Sequence, residues 1–195
     1  MEENYNSKIH RSIVLYGAKI LREQAQEVDL SGEGVLSPQI KNIIDSLFHL
    51  SNAAEGIGLA APQIGESLRI FIVSAALLPE GEGMAKDFRR VCINPQLIWQ
   101  SKELSTYEEG CLSIPGIRAP ITRPKQVELS YVDEHGKSIK ETFDDLPARV
   151  VQHEYDHLEG KLFIDYLSPL KRRLLKKKLN QIRDGIEPQK PETQN

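Results

Sequence analysis

The residues best equipped for chemistry are His153-Glu154-Tyr155-Asp156-His157, a His-Glu-x-x-His pattern. On a helix, residues four apart lie one turn apart on the same face, so His153 and His157 can share one metal ion. Glu154 can then reach a water beside that ion and act as a general base. The bland alternative is a polar surface helix. Catalytic sites of this kind use three protein ligands and keep one position open. The extension His-Glu-x-x-His-x-x-Gly-x-x-His fails here, because Gly160 is in place but Phe163 occupies the third-histidine position. The acids beyond His157 are poor ligands. Glu159 and Asp165 read as structural, and Asp184, Glu187 and Glu192 fall at the end of a basic segment or in the tail. Upstream, Cys111 is the best remaining candidate, since a thiolate binds such metals well and a cation lowers the thiol pKa. Cys92 sits in an apolar run and reads as a small core residue. His10, His49 and His135 read as solvated or structural.

These residues need elements to position them. Asp144 or Asp145 can cap a helix that tolerates Pro147 only in its first turn, carries the motif, and stops at Gly160. Ser37-Pro38 starts an earlier helix, with Ile40, Ile43, Ile44, Leu47 and Phe48 on one face and Gly56 as its stop. Ser168-Pro169 starts a last one, whose stripe is Leu170, Leu174, Leu175, Leu179 and Ile182, crowded by Lys and Arg. Arg69–Ser74 and Val91–Pro95 read as strands. Gln126–Val132 and Lys137–Phe143, joined by Asp133-Glu134-His135-Gly136, read as a hairpin. Ile13–Gly17 is a strand or an extended lead-in, and residues 76–90 are a surface excursion. The fold expected is α+β: mostly antiparallel sheets packed around the central motif-bearing helix, with an N-terminal and a C-terminal helix. One catalytic domain is expected over residues 1–185, followed by a disordered tail at 186–195.

At 195 residues the chain is long enough to bury one substantial core. A net charge of −3 argues against a chain-wide electrostatic nucleic-acid binder. Two cysteines make no disulfide framework and fit a reducing compartment. No apolar run is long enough to span a bilayer, and the polar, mixed-charge start lacks a signal-peptide core. The expected location is the cytoplasm.

Three stretches carry a resemblance. Gly56-Ile57-Gly58-Leu59-Ala60-Ala61-Pro62-Gln63-Ile64-Gly65, then Glu109-Gly110-Cys111-Leu112-Ser113-Ile114-Pro115, then Gln152 to Gly160 resemble, in order, the three signature motifs of peptide deformylases. Tyr16-Gly17 with Leu21-Arg22, Ile93-Asn94-Pro95 and Phe163-Ile164-Asp165 resemble lesser family features, so the similarity runs from Val14 to Asp165. The resemblance implies a hydrolase that removes the formyl group from the N-terminal formyl-methionine of new polypeptides and releases formate. It implies one divalent ion, commonly Fe²⁺ with Zn²⁺, Ni²⁺ or Co²⁺ as substitutes, held by Cys111, His153 and His157. It implies that Glu154 moves the proton, and that the Gln63 side chain and the Leu112 N–H stabilise the oxyanion. Gly58 would let the substrate backbone lie close, and Ile57, Leu112 and Val150 are candidates for the methionine slot. Gln152 and Asp156 are supporting or structural residues. The basic last helix is either a solvated face or a contact to ribosomal RNA. Two rivals remain: a metallopeptidase with a different third ligand, and a non-catalytic module stabilised by a metal in a closed site.

Overall fold

The structure, a computed structural model, describes residues 11–31, 36–78 and 83–186. The expected tail therefore lies outside the described residues from position 187 on, as do residues 79–82 of the excursion at 76–90. Among the described residues no helix is long and apolar enough to cross a membrane.

Helix α1, Pro38–Ala53, starts where Ser37 accepts a hydrogen bond from the Ile40 N–H and Pro38 occupies the first turn, which has no use for its missing donor. It ends three residues before the expected stop. Glu55, not Gly56, takes the left-handed conformation, at φ 55°. The strands are β1 (Gly58–Ala60), β2 (Ile70–Ser74), β3 (Arg89–Gln100), β4 (Leu104–Cys111), β5 (Ile114–Pro124), β6 (Gln126–Val132) and β7 (Ser138–Asp144). Five of them form an antiparallel sheet in the order β1-β2-β3-β6-β7, and β4 and β5 form a separate hairpin. Helix α2, Asp145–Leu158, carries the histidines, and α3, Pro169–Arg183, follows a short 3-10 turn at Phe163–Tyr166.

The pattern of β2, Ile-Phe-Ile-Val-Ser, shows how the site helix is seated. A strand covered on both faces reads as a continuous apolar run. Ile70 and Ile72 face the cluster built on Ile43, Ile44 and Leu47 of α1, while Phe71 and Val73 face the cluster built on Ala148, Val150, Val151 and Leu158 of α2. Neighbouring strands divide the same way: Val91 and Ile93 of β3 join α1, and Cys92 joins α2. The sheet is thus a wall with α1 on one side and α2 on the other. A third cluster joins Ile114, Ile117, Ala119 and Ile121 of β5 to Leu162, Phe163, Ile164 and Leu167, with Leu179 and Ile182 of α3.

Two expectations change. The β4–β5 hairpin replaces what the sequence presents as polar connecting segments. The apolar stripe of α3 is buried only at its C-terminal end: Leu179 and Ile182 pack, whereas Leu170 and Leu174 are 68% and 74% exposed. Residues Ile13–Gly17 resolve as an extended lead-in rather than a named strand. The Val14 N–H donates to the Gln63 carbonyl at 2.7 Å and the Tyr16 N–H to the Ser113 carbonyl at 2.8 Å.

Candidate metal centre

Helix α2 starts at Asp144, whose carboxylate accepts from the Asp145 N–H, and Pro147 falls in the first turn. It stops at Gly160, where φ is +66° and an added Cβ would lie 2.7 Å from the Arg22 backbone. Only glycine fits that turn. Within the helix the spacing places His153 and His157 one turn apart, ring centroids 5.1 Å apart and nearly perpendicular. Cys111 arrives from the end of β4, where a register shift after Gly110 turns the hairpin. The ligand atoms of Cys111, His153 and His157 lie within 4.8 Å of one another, and Cys111 Sγ is 3.4 Å from His157 Nε2.

This donor set fits a metal. Ligand bonds of about 2.0–2.3 Å arranged tetrahedrally put neighbouring donors about 3.3–3.8 Å apart, which the Sγ–Nε2 separation matches. The electrostatics agree. Burial disfavours a charged His153, yet hydrogen bonds to Cys111 and Glu109 and the charges of Cys111 and Glu154 hold its pKa well above the usual range. That pull on a proton reports a site that attracts positive charge. His157 is held well below its usual value, by burial first and then by the charges of His153 and Arg123, so it is a neutral imidazole. Its Nδ1 is buried and has no partner among the described residues.

Behind His153 stands a buried ionic cluster. Its Nδ1 lies 2.9 Å from Glu109 Oε2. Glu109 also accepts from Arg123 (Nε to Oε1 at 2.7 Å, Nη2 to Oε2 at 3.0 Å) and from Arg149 (Nη1 to Oε1 at 2.7 Å). Arg123 Nη1 reaches Asp156 Oδ2 at 2.5 Å, and the Tyr166 hydroxyl donates to Asp156 Oδ1 at 3.0 Å. Glu109, Arg123 and Arg149 are 5%, 3% and 4% exposed. Burial opposes charge on Glu109, but the hydrogen bonds of His153 and Arg123 outweigh it and hold the carboxyl well below the usual carboxylate range. It is therefore ionised and accepts from His153 Nδ1, so Nε2 is the nitrogen turned toward Cys111.

Glu154 is buried, and burial pushes its pKa up to about 7, with Oε2 unpartnered among the described residues. Its carboxylate lies against β1: a Cβ on Gly58 would come within 2.6 Å of Glu154 Oε1. The close approach that glycine permits there is to Glu154. Gln63 sits in a 3-10 turn, Ala61–Ile64. Its Oε1 accepts from the Ala60 N–H at 2.8 Å, which turns the amide nitrogen toward Ser113 Oγ (3.2 Å) and Cys111 Sγ (3.4 Å). Leu112 follows Cys111 and packs on the α1 side of the sheet, close to Gly56. Ile57 is half-buried and Val150 is buried, both in the α2 cluster. Gln152 donates to the Pro124 and Ala148 carbonyls, a bracing role, while Asp156 belongs to the ionic cluster. Phe163, in the position where another class of site has its third histidine, stacks on His153 with centroids 6.2 Å apart. The sequence reading gave no role to Glu109, Arg123, Arg149, Ser113 or Tyr166. One signal was there: Ile117, Ala119, Ile121 and Arg123 alternate along β5, so Arg123 takes a core-facing slot.

Residues 10–173 match the family model of polypeptide deformylases. A peptide deformylase of Pseudothermotoga lettingae is 43% identical over 172 residues, 88% of this chain and 91% of its own. One of Christiangramia forsetii is 39% identical over 180 residues, 89% of each chain. Among solved structures, a peptide deformylase of Legionella pneumophila superposes with a TM-score of 0.77 at 33% identity, covering 91% of this chain and 99% of its own. A deformylase of Acinetobacter baumannii bound to Met-Ala-Ser superposes at 0.75 and 31% identity, covering 80% and 98%. The chain belongs to the polypeptide deformylase family.

Proposed function

We propose that this chain is a metal-dependent hydrolase that removes the formyl group from the N-terminal formyl-methionine of new polypeptides, with Cys111, His153 and His157 holding one Fe²⁺. The observation that carries this is the convergence of a thiol and two imidazoles, next to a buried, glycine-seated Glu154. The Met-Ala-Ser bound to a relative is the chemistry expected of a deformylated product.

When bound, the ion supplies a Lewis-acid positive charge beside the formyl group and acidifies a water there. Glu154 takes the proton of the attacking water and delivers it to the departing amine, so water and formamide become formate and a free amino terminus. Burial makes Glu154 basic enough for the first transfer and acidic enough for the second. As the formyl oxygen gains charge, the Gln63 amide and the Leu112 N–H donate to it. The Ala60 N–H orients that amide in advance, which avoids reorganisation during the reaction. Ile57, Leu112 and Val150 serve as apolar walls for the methionine side chain, with Gly58 beside them.

The test is formate release from formyl-Met-Ala-Ser by protein purified without oxygen, with the metal quantified. We expect one ion per chain and activity that declines in air, as Fe²⁺ beside a thiolate is oxidised. Glu154→Ala should keep the metal and lose activity at least a hundredfold. Full activity in that variant would overturn the mechanism. Loss of metal in Cys111→Ala separates this reading from a metallopeptidase with another third ligand.

We also assign residues 1–185 to one catalytic unit acting in the cytoplasm, with α3 as a ribosome contact. Lys171, Arg172, Arg173, Lys176, Lys177 and Lys178 are exposed along α3 and have no acidic partner within 4 Å among the described residues. Such a row suits phosphates. Lys176, Lys177 and Lys178 changed to Glu should abolish co-sedimentation with ribosomes at low salt, and unchanged co-sedimentation would sink the idea.

A further inference from the structure

The ligands of the proposed metal come from two separate elements. His153 and His157 are on α2, and Cys111 is at the end of β4. Something must fix the spacing between them before any ion arrives. Arg149 is placed to do so. It precedes His153 by four residues, so it lies one turn away on the same face. Its Nη1 donates to Glu109 Oε1 and to the Ile121 carbonyl (3.0 Å), and its Nη2 donates to the Ser105 carbonyl (2.7 Å) and hydroxyl (3.2 Å). Its guanidinium also lies over the Tyr107 ring, 5.2 Å from the centroid. One side chain of α2 is thereby fastened to both strands of the hairpin that delivers Cys111.

Glu109 is the other half of this joint. An ionised carboxylate offers about four lone-pair directions. Here all are used: two by Arg123, one by Arg149 and one by His153. Two positive and two negative groups, counting Asp156, balance one another within the buried cluster. With both arginines in place, the carboxylate cannot turn away from His153, and His153 keeps its hydrogen on Nδ1. We propose that Arg149 and Arg123, acting through Glu109, are positioning residues that hold His153 Nε2 and Cys111 Sγ in register for the metal. This rests on the ligand set given above.

The test is metal affinity rather than turnover. The full chain is stripped with a chelator and titrated with Co²⁺ alone. Wild type should bind one Co²⁺ with the absorption band of a cobalt–thiolate bond. Absence of that band in wild type would remove the ligand assignment itself, and this proposal with it. Arg149→Met should bind Co²⁺ at least tenfold more weakly, and its gain in Tm on adding Co²⁺ should shrink. A purely structural arginine would lower the Tm of stripped and loaded protein alike and leave the affinity within tenfold, which would overturn the proposal. Should Arg149→Met give no folded protein, Arg149→Lys keeps the charge and loses the fork. It should weaken Co²⁺ binding at least threefold, and a smaller change would likewise overturn it.

Discussion

His153 and His157 share a helix, a motif and a proposed ion, yet they rest on different foundations. The Nδ1 of His153 is held by an ionised carboxylate that is itself clamped by two arginines, and its ring is stacked on Phe163. The Nδ1 of His157 is buried with no partner among the described residues, and its Nε2 faces Cys111. One imidazole is oriented by a hydrogen bond on its far nitrogen, and among the described residues the other has packing alone. Second-sphere partners normally fix the tautomer and direction of a ligating histidine, so this difference makes His153 the anchor of the pair and His157 the adjustable member.

Experiments can break or sharpen that contrast. The largest effect is expected from Arg123→Met, which strands Glu109 and Asp156 without their shared cation. Losing one partner of a buried ion pair destabilises by about 3–5 kcal/mol, read as a fall in urea midpoint. A loss under about 1 kcal/mol would mean the clamp is weakly coupled. Removing the metal should lower stability by about 4 kcal/mol relative to protein with a thousandfold excess over Kd. In the stripped protein, nitrogen-15 NMR should still show a slowly exchanging proton on His153 Nδ1 and none on His157. Equal exchange at both rings would erase the contrast.

Gly58→Ala comes next. Its Cβ would press on the Glu154 carboxylate, and a displacement near 1 Å should reduce kcat about a hundredfold. Gly160→Ala acts on the adjustable side. A side chain at φ +66° that collides with the Arg22 backbone should cost about 2 kcal/mol and disturb His157 chemical shifts more than those of His153. The smallest effect is Tyr166→Phe, at the outer edge of the clamp. It removes one hydrogen bond to Asp156 and should cost about 1 kcal/mol, measurable by thermal melting.

What could be read in the sequence followed local rules. Ser37-Pro38, Asp144 and Ser168-Pro169 cap the three helices, and the apolar periodicity of α1 is the face that packs. The pairing of His153 with His157 was legible because a single turn of helix holds them together. The β4–β5 hairpin was less so, because β4 turns Ser105, Tyr107 and Glu109 inward and shows no apolar alternation. On β5 the alternation of Ile117, Ala119 and Ile121 runs on into Arg123, whose charge hides the last core-facing slot until Glu109 is seen to satisfy it. The α3 stripe misled for the opposite reason: Leu170 and Leu174 keep helical spacing but have no facing surface among the described residues. The clamp itself joins residues 14 to 44 positions apart, and no local pattern announces such a pairing.

The extended lead-in carries a last consequence, for how the chain folds. Val14 is bonded to the backbone of Gln63 and Tyr16 to that of Ser113, while the Ala25 N–H reaches the Leu158 carbonyl and Arg22 pairs with Asp165. The first and last parts of the domain thus lock the three motif stretches from outside. Contacts so distant along the chain form slowly, since their loop-closure entropy must be met first. A polypeptide leaving the ribosome lacks this closure until residues near 165 have been made. The geometry of the candidate metal centre is then among the last features to be completed.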